Sequence, residues 1–265
     1  GSLSWRFFSD ETVEERITIV SIDEKSLSEI GPWPWSRAVM ADLVQRINDA
    51  GAQVQIHDIV YPDARDGDQQ FQAALASGNN AVIAQLPVFK TDQKLETGTL
   101  THAVQGVSCS EESFAVFPQS EGFLGASSNL SGIAKGHIAP IIDPDGAVRR
   151  TPAIVCFENQ PYPALSISPF LLAIGSERWD VELESSSGLL ESSSILTLQS
   201  YPGLEIPLDR QGNVRFSFHK SPAAFRAVSA ADVLSGEYDP EMFDNVWVLI
   251  GATAFALDDV VPTPY

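Results

Sequence analysis

Cysteine, methionine and basic residues are scarce in this 265-residue chain, which has two Cys, two Met and 16 Lys plus Arg against 35 Asp plus Glu. Each shortage excludes something. A formal net charge of −19 repels phosphate backbones and anionic membrane surfaces, so nucleic acid is excluded as a natural partner. The two cysteines, Cys109 and Cys156, fit no metal-ligand spacing, and neither stands beside a base that would mark a nucleophile. Two readings stay open for them: one disulfide in an oxidising compartment, or two small buried thiols that never meet. No apolar run reaches the roughly 18 residues that a bilayer-spanning helix needs. The longest candidate, 246–257, is interrupted by Gly251 and Thr253.

Signatures of cofactor chemistry are missing as well. There is no Gly-x-Gly-x-x-Gly, no Gly-x-x-x-x-Gly-Lys-Ser/Thr and no Gly-x-Ser-x-Gly, the nearest approach being Gly125-Ala-Ser-Ser-Asn129. No cofactor is therefore expected. His57, His102, His137 and His219 are far apart, with no His-x-x-x-His pair to suggest zinc, and lone histidines are usually structural. Asp63, Asp66 and Asp68 are spaced like a calcium loop but lack the bidentate Glu that closes one, so no metal site is expected.

What the chain does have is a dense aromatic loop, Gly31-Pro-Trp-Pro-Trp-Ser-Arg37. Proline fixes φ and disfavours helix for the residue before it, so Trp33 and Trp35 stand on a stiff, extended lead-in. Ser36 fits as the N-cap of a helix carrying Val39, Leu43, Val44, Ile47 and Ala50 at helical spacing, which Gly51 ends. Apolar runs at 17–22 and 54–60 predict strands on either side. Strand, loop, helix and strand form a βαβ unit whose right-handed crossover puts the loop at the C-terminal ends of both strands.

Further along, the pattern predicts a helix over 69–76 and a strand over 81–89. It weakens over 90–136, where an insertion or β-rich excursion is expected. A strand over 148–157, a helix from Pro161 to Ile174 and a serine-rich exposed loop or irregular edge over 185–194 follow. Strands at 195–198 and 214–218, a helix over 229–234 and a fully apolar, internal strand over 246–250 complete the reading. The fold class is α/β: one domain, with a mixed, mostly parallel central sheet, helices on both faces and β-hairpin insertions. Gly1-Ser2 reads as the remnant of a cleaved tag, 1–16 as a tag remnant and membrane-proximal lead-in, and 17–265 as the domain proper.

Two segments share the pattern Asp-x-x-Gly-x-Val-Arg, one from Asp143 through Gly146 and one from Asp209 through Gly212. The chemistry is that of a turn. Asp accepts backbone N–H groups, Gly supplies positive φ and Val starts the outgoing strand, so both are structural turns in two similar hairpins.

Asp23 and Asp58 fall at or near the ends of the two predicted parallel strands, where α/β sheets usually bind ligands. With Arg37 at the helix start and Trp33 and Trp35 as walls, they form a candidate small-molecule pocket. The alternative is an internal ion pair of Arg37 with Asp23 or Asp58 that fixes the loop.

Taken together, several motifs point to one family. They are Ile19-Val-Ser-Ile-Asp23, the 31–37 loop, Gly51-Ala52, Asp58, Asp143-x-Asp-Gly146-x-x-Arg149, Tyr162-Pro-Ala-Leu165, and Val248-Leu-Ile-Gly-Ala-Thr-Ala254 with Asp258 and Thr263-Pro264. The chain resembles the second class of CHASE-type (cyclase/histidine-kinase-associated sensory extracellular) sensor domains. The resemblance implies a non-enzymatic, extracytoplasmic part of a bacterial inner-membrane receptor, periplasmic or extracellular. It implies an unknown small-molecule ligand, membrane attachment through flanking helices, a cytoplasmic cyclase, histidine kinase or diguanylate cyclase output, and room for a homodimer in the intact receptor. Two other classes compete with it: a metal-dependent α/β hydrolase using Asp23 and Asp58, and a periplasmic protein-interaction or dimerisation module.

Overall fold

The computed structural model describes residues 12–90, 95–110, 117–173, 179–187, 192–199, 201–216 and 220–253. The chain is α/β, with a mixed, mostly parallel central sheet and smaller antiparallel sheets. It divides into two compact units, and the described residues of the first are 12–59, 64–81 and 220–253. The second, formed from 60–63 and 82–216, is inserted in the chain of the first.

The first unit opens with β1 (Glu14–Ile22), which starts three residues before the expected strand and alternates buried Thr18, Val20 and Ile22 with half-buried Ile17, Ile19 and Ser21. A helix that the sequence pattern does not announce, α1 (Glu24–Ile30), follows at once. Seven residues are too few for a clear hydrophobic period, and its one local sign is Asp23 placed three residues before Ser26. Helix α2 (Arg37–Asp49) forms as expected: Ser36 Oγ accepts the Val39 N–H at 3.3 Å, and Met40, Leu43, Val44 and Ile47 are buried along one stripe. Burying each of these apolar side chains contributes about 1.5–3 kcal/mol relative to leaving it in water. Strand β2 (Val54–His57) is shorter than the expected 54–60, and α3 (Asp68–Ser77) packs against α2.

In the second unit, β3 (Ala81–Val88) is followed by β4 (Glu96–Thr97), β5 (Gly122–Leu124) and β6 (Ala134–His137). β3 pairs parallel with β6 and antiparallel with β5, and β5 pairs parallel with β4, so the weakly patterned 90–136 region does hold a β-rich excursion. The single strand expected over 148–157 is two. β8 (Val148–Pro152) pairs with β7 (Ile141–Ile142), while β9 (Ile154–Phe157) pairs with β10 (Gln160–Pro163) in a separate hairpin. The helix expected from Pro161 is therefore a strand, with α4 (Ser168–Leu172) starting later. Glu158 and Asn159, at φ 47° and 62°, make the two-residue turn whose twist matches a hairpin, and that turn decides the pairing over the helix-start signal of proline. Within the serine-rich 185–194 segment the described residues, 185–187 and 192–194, are strand, the first three at the edge of a sheet. β11 (Val181–Ser187) and β12 (Ser192–Leu198) pair in register, because buried Val181, Leu196 and Leu198 fix the ladder that the serines extend. β13 (Glu205–Leu208) adds to β12, and β14 (Asn213–Arg215) adds to β8.

The chain then returns to the first unit through β15 (Phe225–Ser229), α5 (Ala230–Ser235) and β16 (Trp247–Ala252). Its sheet runs β15-β1-β16-β2, parallel at every pairing. The last strand is internal, as expected from its unbroken apolar run. β1 and β2 are not neighbours, since β16 lies between them, and the crossover through α2 spans two strand positions.

Both Asp-x-x-Gly segments are turns. Gly146 and Gly212 stand at φ 83° and 74°, and each donates its N–H to the carbonyl of the turn's Asp, at 2.8 and 3.0 Å. Nothing lies within 4 Å of a Cβ built on Gly146, so Gly146→Val brings no clash and only backbone strain. We expect it to cost about 1 kcal/mol or more by denaturant titration, and an unchanged midpoint would refute the assignment.

Candidate functional site

The 31–37 loop closes on itself. Trp35 Nε1–H donates to the Gly31 carbonyl at 2.9 Å, and the Trp33 ring meets Trp35 edge-on with centroids 5.4 Å apart. Trp35 is buried and Trp33 half-buried. Arg37 donates Nε–H to Asp68 Oδ1 at 2.7 Å, with both side chains no more than 5% exposed. Asp68 Oδ2 accepts the Arg65 N–H at 3.1 Å, and the guanidinium lies 5.7 Å from the Phe71 ring centroid. The ion pair expected with Asp23 or Asp58 is thus formed with Asp68, because α3 delivers that carboxylate beside the first residue of α2. The same pairing withdraws Asp68 from the calcium-like cluster.

Asp23 caps α1. Its Oδ1 accepts from Ser26 N–H at 2.9 Å, Ser26 Oγ at 2.7 Å and Ser229 Oγ at 2.8 Å, tying the start of α1 to the end of β15. Burial pushes its carboxyl up, but the Ser26 and Ser229 hydrogen bonds outweigh burial and hold it below the usual range. Asp58 is exposed, and its N–H donates to the Ile250 carbonyl at 2.9 Å. Of the five residues singled out in the sequence, the two tryptophans meet, while Arg37 and Asp23 each serve a different structural partner.

Arg150 joins the two Asp-x-x-Gly turns. It donates to Asp143 Oδ1 at 2.9 Å and lies 3.7 Å from Asp209 Oδ2, while Arg149 bridges Asp143 and Asp145. Those arginines hold the Asp143 carboxyl low, and Arg149 brings Asp145 to about 2. In the sequence the two turns are separate copies; in the fold they share one guanidinium.

A second polar cluster, whose residues match no sequence motif, lies in the inserted unit. Lys135 is fully buried, and its ammonium donates to Thr101 Oγ1 at 2.8 Å and to the carbonyls of Leu130, Ile133 and Ser131 at 3.1, 3.1 and 3.3 Å. Burial lowers it to about 8. Thr101 Oγ1, which accepts from Lys135, also shares a hydrogen bond with His102 Nδ1 at 2.8 Å, and the His102 ring lies 4.9 Å from Trp179. His137 stands on the same strand, two residues beyond Lys135 and therefore on the same face. The sign available in the sequence is period two: Lys135 and His137 alternate with Ala134 and Gly136.

Burial alone lowers His57 and His137 to about 3, and burial with the Lys135 charge lowers His102 to about 4. Folded, these rings stay neutral at pH values where the unfolded chain, with an ordinary value of 6.5, takes up protons. Stability is therefore full above pH 6.5 and falls as pH drops towards 3, by up to about 1.4 kcal/mol per pH unit for each ring. Urea midpoints that stay level between about pH 7 and pH 5 would contradict this.

Cys109 and Cys156 are joined by a disulfide across 47 residues. His219, residues 1–11 of the lead-in, and Asp258 and Thr263-Pro264 of the family motif lie outside the described residues. Among the described residues no group of three or more His, Cys, Asp or Glu is arranged to hold a metal, and no helix is long and apolar enough to cross a membrane. Compared with known families, residues 2–265 match the model described as the CHASE2 domain. No curated protein and no solved structure matches the chain.

Proposed function

The chain belongs to the CHASE2 family of extracellular sensory domains found in signalling receptors, and from that premise we propose that it binds a small-molecule signal and controls a cytoplasmic output domain. The output is a nucleotide cyclase, a histidine kinase or a diguanylate cyclase of a bacterial inner-membrane protein, reached through flanking membrane helices. The intact receptor works as a homodimer. The observation that carries this reading is a family match over residues 2–265. The disulfide supports a periplasmic or extracellular position, since such bonds persist in oxidising compartments. The family is sensory, not catalytic, and a hydrolase would need Asp23 as a working carboxylate where here it caps a helix.

In this reading the signal contacts half-buried Trp33 and exposed Asp58, which follows β2, while Trp35 and Arg37 hold the loop that presents Trp33 and Asp23 caps α1. A thermal-shift screen of periplasmic metabolites tests it. A metabolite that stabilises the wild type should bind at least about tenfold more weakly to Trp33→Ala and to Asp58→Asn, a difference worth about 1.4 kcal/mol. A metabolite that stabilises wild type and both variants equally would place the site elsewhere.

A further inference from the structure

We propose that the inserted unit contains a second binding site, for a small hydroxycarboxylate, formed by Gln85 and His137 on the strand face that also carries Lys135. Gln85 and His137 are register partners on parallel β3 and β6, so their side chains stand next to each other on one face. They are 1% and 2% exposed. His137 Nδ1 accepts the Ala139 N–H at 3.3 Å, which leaves the ring proton on Nε2, and among the described residues Nε2 has no hydrogen-bond partner. Neither Oε1 nor Nε2 of the Gln85 amide has one there either.

Each unmet buried polar group costs about 1–3 kcal/mol, so three on two adjacent side chains are a liability that an apolar pair would avoid. A bound molecule that completes them removes the liability. What they lack defines that molecule: two nitrogen donors need acceptors and one amide oxygen needs a donor. Lys135 shares the face, and its four oxygen partners among the described residues are one hydroxyl and three carbonyls, none of them a carboxylate. A carboxylate answers the two N–H donors, and a hydroxyl answers Gln85 Oε1. The hydrogen-bonded chain from Lys135 ends on half-buried His102.

The probe is sodium lactate, compared with acetate and chloride at equal ionic strength. At lactate about tenfold above its dissociation constant, the wild-type melting temperature should rise by about 3–5 °C, more than with acetate, and chloride should leave it unchanged. Gln85→Leu should melt no lower than wild type in chloride and lose the lactate shift. In nitrogen-15 histidine spectra of the wild type, the His137 Nε2–H resonance should move with lactate, a readout that does not require the variant to fold. A lactate shift that survives Gln85→Leu, or a wild type with neither a lactate-specific melting shift nor a moving His137 resonance, would overturn the proposal. Trp33→Ala should leave the lactate response intact, so this site and the loop site stand or fall separately.

Discussion

Replacing Arg37 by alanine will destabilise the protein by about 3–5 kcal/mol, a large share of the 5–15 kcal/mol that separates folded from unfolded domains. The reason is what remains. Asp68 is 3% exposed, so removing the guanidinium takes the Arg37 charge from a carboxylate held away from water. The pair itself need not be stabilising, because taking two charges out of water costs about as much as their attraction returns. The double variant Arg37→Met with Asp68→Leu should therefore recover most of the loss. Urea titration of the two single variants and the double one separates the cases. If Arg37→Ala unfolds at the wild-type midpoint, the guanidinium is not holding the loop, and its role passes to ligand binding.

Removing the Cys109–Cys156 bridge should cost a similar amount. Closing a loop of 47 residues restricts the unfolded chain by about 4 kcal/mol in the chain-entropy model. The Cys109→Ala, Cys156→Ala protein should show that loss as a lower urea midpoint, and reduction of the wild type should produce the same change. A double variant within about 1 kcal/mol of wild type would mean that the unfolded chain is already restrained there, as residual structure can do.

Local signals are legible in this sequence and long-range ones are not. Helix α2 carries its own cap, stripe and stop within 16 residues, from Ser36 to Gly51, so nothing outside it is needed to find it. Strand β16 is legible as internal because its run is apolar on both faces. In contrast, Arg37 finds its partner 31 residues away through the docking of α3 on α2, and no local pattern names Asp68 over Asp23 or Asp58. Pro161 and Pro163 suit a helix start and a strand equally until the Glu158–Asn159 turn settles the matter. Gln85 is hidden inside an apolar run, where one polar residue reads as noise. Its meaning comes only when β6 places His137 opposite it.

The parallel pairing of β1 with β16 has a mechanical side. The two strands are in register over six pairs, from Ile17 opposite Trp247 to Ile22 opposite Ala252. Because they run the same way, the chain enters β1 at one end of the ladder and leaves β16 at the other, about 20 Å apart at about 3.3 Å per residue. Tension between those two ends loads the ladder in shear, so its hydrogen bonds resist together, whereas a hairpin pulled from its open end unzips bond by bond. A pull on either strand is therefore passed along as a rigid displacement, with β15 on the far side of β1 carried in the same motion.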